Sequence, residues 1–205
     1  MTGQADLGQA IPGAIVGGLA AILLREAIDW IRKPILQMSL DLTALKPFVQ
    51  QLITQDREPE KIGVSKFVRL RVHNNGRKAA NYCEAKIEPM DKNGNSLFDP
   101  SILHWVRKYA TVYPKPEEQF APITINRGDH EFLDVLSIFK PSKSDNEARV
   151  MTYSHRPYPL LPHRNYRLNV TVFSENAAPK KGIVCFTWDG TWDGFNEGCL
   201  RYCSD

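Results

Sequence analysis

The stretch 67-FVRLRVHNNGRKAANYCEAKIE-88 decides how the rest of the chain is read. In its first half Val68, Leu70 and Val72 fall on one side of an extended chain, and Phe67, Arg69 and Arg71 on the other. Successive side chains of a strand point to opposite faces, so this pattern predicts a strand buried on one side. In the second half Cys83, Ala85 and Ile87 alternate with Tyr82, Glu84, Lys86 and Glu88, which predicts a second strand of the same kind. Between them Asn75-Gly76 is a favoured turn pair whose glycine tolerates positive φ. Cys83 lies on the apolar side. A reactive thiolate needs an electropositive, partly exposed setting, so Cys83 reads as a small core residue. His73 and Asn74, beside the turn, read as solvated and not as catalytic.

The flanking segments carry the same period. Residues 35–41, ILQMSLD, alternate Leu36, Met38 and Leu40 with Gln37, Ser39 and Asp41, a half-buried strand. Residues 42–63 form an insert in which Phe48, Val49, Leu52 and Ile53 have helical spacing, predicting a short helix or ordered loop. In 91-DKNGN-95 the closing glutamate of a calcium loop is missing, and Asn93-Gly94 reads as a tight hairpin turn. Trp105 is a natural core plug. Residues 121–139 read as strand, turn at Arg127-Gly128-Asp129, and strand. Residues 158–190 supply a strand with Leu168, Val170 and Val172 on one face, a turn over 176–181, and a return strand containing Cys185. Tyr166 precedes that pair as the tyrosine of a sandwich corner does, its hydroxyl tying back to the preceding loop. Many short strands between turn signals, with little helix after residue 60, predict a mainly β chain folded as an antiparallel β-sandwich.

The run from Phe67 to Ile87 resembles the N-x-G-x-x-x-A signature of bacterial immunoglobulin-like domains of the cell-adhesion-related type. It is also similar to a group of uncharacterised prokaryotic, membrane-anchored proteins that pair an N-terminal membrane helix with one such domain. The closing YRLNVTV, NAAP and FTWDG segments resemble the last strand pair of that group. The resemblance spans roughly residues 34–192 and implies an immunoglobulin-like β-sandwich; its motifs record strands and turns, and they bring no catalytic residue with them. The insert at 42–63 departs from the pattern.

Residues 7–24, LGQAIPGAIVGGLAAILL, carry no charged side chain. A helix needs about 17–25 apolar residues to cross a hydrocarbon core, so this is a short transmembrane candidate. Asp6 is the one charged side chain before it, and without a basic leader the segment is expected to be retained. Gly13, Gly17 and Ala21 fall four apart, as do Ala14 and Gly18, a small-residue face that lets two membrane helices approach and form homo-oligomers. Leu24 closes the apolar run, and Trp30 fits an interfacial anchor. Arg25, Arg32 and Lys33 follow it, which by the positive-inside bias predicts a single-pass protein with its sandwich on the cytoplasmic side. The alternative is a helix that docks on a partner protein. Pro34 ends the helix and divides the chain into a membrane-helix segment, 1–33, and a sandwich domain, 34–205.

Lys and Arg total 26 against 23 Asp and Glu, a net charge of +3, and the charges are interspersed. A nucleic-acid footprint would need them clustered, so no nucleic-acid partner is expected. The four cysteines are too sparse for a disulfide scaffold and are expected to be reduced thiols, while a metal or disulfide among Cys185, Cys199 and Cys203 is the lesser reading. Trp188-Asp189 and Trp192-Asp193, each followed by glycine, offer a stacking platform for a sugar or peptide; the plainer reading is one core tryptophan and one turn. No phosphate loop or histidine-based nucleophile pattern stands out, so no cofactor and no catalysis are expected. The sequence therefore predicts a membrane-tethered, noncatalytic binding or assembly module whose partners are the lipid bilayer and an unidentified protein. Alternatives are a soluble structural subunit, or a ligand-binding domain using the tryptophans.

Overall fold

The computed structural model describes residues 21–26, 28, 32–52, 60–106, 119–142 and 149–203. Their strands, in chain order, are β1 (Leu36–Asp41), β2 (Phe48–Leu52), β3 (Glu60–Asn74), β4 (Ala80–Met90), β5 (Ser101–Ile102), β6 (His104–Val106) and β7 (Ile123–Ile125), then β8 (His130–Pro141), β9 (Arg149–Thr152), β10 (Pro159–Leu160), β11 (Arg164–Phe173), β12 (Lys180–Trp188) and β13 (Leu200–Cys203). They form two antiparallel sheets. The first runs β1-β3-β8-β9-β10, with β2 also on β3 and β6 on β8; the second runs β13-β12-β11-β4-β5, with β7 on β4.

One core lies between the sheets. Val68, Leu70 and Val72 of β3 meet it from the first sheet, and Cys83, Ala85 and Ile87 of β4 from the second, joined by Leu168, Val170, Val172 and Trp105. Each fully buried Leu, Ile or Val contributes about 1.5–3 kcal/mol relative to exposure. The alternation in residues 67–88 is thus a true inside–outside pattern, but its two strands do not pair with each other. The turn between them carries the chain from one sheet to the other, as does the Arg127-Gly128-Asp129 turn between β7 and β8.

Asn74 and Gly76 make that crossing. Asn74 is fully buried, not solvated as expected. Its Oδ1 accepts from the backbone N–H of Ile35 (3.2 Å) and Gly76 (3.0 Å), and its Nδ2 donates to the carbonyls of Lys78 (2.8 Å) and Ile125 (3.0 Å). An asparagine has two donor hydrogens and two acceptor lone pairs, so this side chain is fully used. Gly76 is required by space and not by a positive φ: a Cβ there would collide with Lys33 O, Pro34 Cα and Ile35 N. The third residue of the signature, Ala80, is buried at the start of β4. Just after it Tyr82 has φ +49°, where the β4–β7 register shifts between Ala80 and Cys83. That bulge turns the following alternation into phase with the core. Asn176 secures it from the other side, accepting from Asn81 N–H (3.0 Å) and donating to Ala79 O (2.9 Å).

Two further expectations change. Residues 48–52, expected in a short helix or ordered loop, form β2, antiparallel to β3, because β3 begins at Glu60 and is long enough to offer them a ladder; Ile53 lies outside the described residues. The cysteines are not all reduced: Cys185 and Cys203 form a disulfide. Cys185 faces Arg201 across β12–β13, which puts Cys203 on the diagonal with a Cα separation of 6.1 Å, within bridging range. Cys83 and Cys199 remain thiols. The hydroxyl of Tyr166 donates to Leu161 O at 2.8 Å, as a tyrosine corner requires.

Candidate functional site

Trp188 and Trp192 do not form a shared exposed face. Trp188 ends β12 with 1% of its surface exposed and packs on Phe195, so it is core. Trp192 is half-buried, with the Lys66 ammonium 4.5 Å from its ring centroid. Lys66 also donates to the carbonyls of Trp192 (3.1 Å) and Phe195 (2.9 Å). A lysine on β3 of the first sheet thereby holds the β12–β13 loop of the second. Burial lowers its pKa, and the charge of Asp193 works against that shift.

Asp189 is used within its own loop. It accepts from Thr191 N–H at 2.8 Å and from the Thr191 hydroxyl, whose oxygen in turn accepts from Gly194 N–H at 3.0 Å. The Thr191 backbone bond is the main reason its carboxyl titrates below the usual range. A Cβ on Gly194 would collide with the Asp189 carboxylate, and Gly190 has φ +94°. Asp189, Gly190 and Gly194 are thus explained by loop closure. Asp193 is exposed.

A polar cluster lies on the outer face of the first sheet. Asp134, 4% exposed, receives two bonds from the Arg69 guanidinium, at 2.7 and 3.2 Å. His104 Nδ1 stands 4.0 Å from Asp134 Oδ2, the oxygen that accepts the longer of the two. The ring of Tyr153 meets both His104 and Phe67 edge to face. Burial pushes the Asp134 carboxyl above its ordinary value, outweighing the Arg69 pair, and burial together with Asp134 raises Tyr153. This arrangement fastens β6 and the segment after β9 to β3 and β8. Its carboxylate is committed to Arg69. A lone acid inside the apolar run 132-FLDVLSIF-139 was the available signal, because a buried carboxylate needs a cation beside it.

Of the N-terminal residues, Ala21 and Leu24 lie on a helical segment, 21–26, while Gly13, Gly17, Gly18 and Trp30 fall outside the described residues. Ile22, Leu23 and Leu24 are 59%, 68% and 63% exposed, and Ile28 and Ile35 are also exposed. Among the described residues no helix is long and apolar enough to cross a membrane. Nor, among them, does any group of three His, Cys, Asp or Glu stand ready to hold a metal ion.

No family model and no curated protein matches the chain. One solved structure, described as the X-ray structure of Northeast Structural Genomics Consortium target SoR45, aligns with 75% of this chain and 83% of its own, at 10% identity and a TM-score of 0.30.

Proposed function

We propose that the chain is a membrane-tethered, noncatalytic binding module, an immunoglobulin-like sandwich carried on an N-terminal apolar helix. The observation that carries this reading is the helical segment 21–26, which presents Ile22, Leu23 and Leu24 to solvent with no cover from the sandwich. Apolar side chains contiguous along a helix want an apolar surface, and residues 7–24 continue the same run. The junction supports the reading as well. Pro34 is buried, Asn74 and Gly76 hold Ile35, and Arg77 N–H donates to Lys33 O at 3.4 Å, so the tether leaves from a fixed point. Arg32, Lys33, Arg77, Lys78 and Arg127 are exposed around that point and outnumber the acidic Asp129 and Glu175, a charge balance suited to anionic headgroups. The Tyr166 corner supports the immunoglobulin-like class. Tethering raises the effective concentration of any partner on the same surface.

The test is fractionation of the full chain beside a chain beginning at Pro34, each washed with high salt and alkaline carbonate. The full chain stays in the membrane pellet, the shortened chain does not, and Leu23→Lys weakens retention. If both remain soluble the tether is wrong, and the apolar segment is a docking helix for another protein.

The flanking Arg25, Arg32 and Lys33 favour a cytoplasmic sandwich. The Cys185–Cys203 bond favours a second reading, with the sandwich in an oxidising compartment. Protease added to sealed, right-side-out vesicles separates them: a protected sandwich is cytoplasmic, and a digested one is exported.

A further inference from the structure

A cleft of about 620 Å³ opens on the second sheet between β11, β12, β13 and the β4–β5 loop. The strand register explains its chemistry. Arg167 on β11 faces Cys185 on β12, and Cys185 faces Arg201 on β13, so the two arginines stand in one row on either side of the disulfide. Strands lie about 4.8 Å apart, which separates the arginine backbones by about 10 Å, a span that two guanidinium arms close from both sides. Lys92 follows Met90, the β4 partner of Arg167, and adds a third cation to the same wall. At one end Thr187 donates to Asn165 Oδ1 at 2.7 Å, which leaves the Asn165 amide hydrogens to the cleft.

Among the described residues no carboxylate lines this cleft, and none of the three cations makes a salt bridge. Two cations elsewhere are neutralised by a carboxylate, Arg69 by Asp134 and Lys86 by Glu84. Three like charges gathered in a concave site repel one another unless an anion joins them. Arginine forks match tetrahedral oxyanions and bind them through paired, charge-assisted hydrogen bonds.

We propose that this cleft binds a phosphate- or sulfate-bearing ligand, with Arg167 and Arg201 clamping the oxyanion over the Cys185–Cys203 bond and Lys92 and Asn165 at its sides. The disulfide sets the clamp, because it pins the short edge strand β13, and with it Arg201, against β12. The proposal does not depend on the N-terminal tether.

The experiment is calorimetric titration of the full chain with pyrophosphate in low-salt buffer. Saturable one-site binding is expected. Arg167→Gln and Arg201→Gln each weaken it about tenfold or more, as loss of a charge-assisted bond implies, and Lys92→Gln weakens it less. Both arginines are exposed, so the urea midpoint stays near that of the parent and shows that the fold survives. Absence of saturation, or equal binding by the arginine variants, overturns the proposal. Co-sedimentation with phosphatidylcholine vesicles, with and without phosphatidylglycerol, identifies the source of the oxyanion. If the Arg167→Gln/Arg201→Gln double variant loses the excess binding to anionic vesicles, the ligand is a lipid headgroup; if it loses only pyrophosphate, the ligand is a soluble ester. Binding to neutral vesicles is unchanged by the double variant, so failure of the tether and failure of the cleft are read separately.

Discussion

Replacing Asn74 by alanine removes four hydrogen bonds that join the start of β1, the β3–β4 crossing and the end of β7. Two of them, from Gly76 N–H and to Ile125 O, are buried. Each stranded buried group costs about 1–3 kcal/mol, whereas the half-buried pair, to Ile35 and Lys78, can rehydrate and cost nearer 0.5–1.5 kcal/mol each. The expected loss is about 5 kcal/mol, a large share of the roughly 5–15 kcal/mol that holds a domain folded. With an m-value of about 2–3 kcal/mol/M, the urea midpoint falls by about 2 M. Trp105 and Trp188, each 1% exposed, give the fluorescence signal. Asn75→Ala is the control, since Asn75 is exposed and should shift the midpoint little. If Asn74→Ala costs less than about 1 kcal/mol, below the smallest cost expected for one stranded buried group, or no more than the control, Asn74 does not hold the crossing.

Other consequences can be checked alongside. Gly76→Ala drives a methyl into Lys33 O, Pro34 and Ile35, should cost about 1–3 kcal/mol, and should speed tryptic cleavage after Arg32, the Lys33–Pro34 bond itself being resistant to trypsin. The Asp134 carboxyl, raised by burial, binds its proton more tightly folded than unfolded, so its contribution to stability is full below the unfolded value near 3.9 and declines as pH rises through the folded one. Urea midpoints of the parent and Asp134→Asn across the acid range should therefore draw apart in favour of the variant as pH rises; the opposite trend would mean that the Arg69 pair outweighs burial. In denaturant the chain should show two reactive thiols before reduction and four after it, and reduction should cost about 3 kcal/mol, the value expected for a loop of this size.

The strands were legible wherever one face is buried, because period-two alternation is a direct record of burial: Leu36 to Leu40, Val68 to Val72, Cys83 to Ile87 and Leu168 to Val172 all lie as their spacing predicts. Residues 48–52 were misread because a short run with Phe, Val and Leu fits either period, and only the unseen length of β3 decided between them. Asn74 was misread for a different reason. Its neighbours in sequence form a polar turn, while the groups that use it, Ile35 and Ile125, are remote in the chain. The same holds for the cleft, since Arg167, Cys185 and Arg201 become one row only through strand register. The tryptophan repeat drew attention by its spacing, yet Lys66, which joins that loop to the other sheet, carries no local signal.

The pairing of β4 with β11, in which Met90 lies opposite Arg167, has a consequence for synthesis. At about 5–20 residues per second the ribosome needs roughly 4–15 s to make the chain between them, and contacts so distant in sequence also close slowly. Until β11 has been made, β4 presents an unpaired edge. Glu84, Lys86 and Glu88 alternate along that strand, and Pro89 stands near its end. Charges and proline at such positions discourage a strand from adding to its counterpart on a neighbouring chain. These residues therefore guard the nascent protein during the interval in which its second sheet does not yet exist.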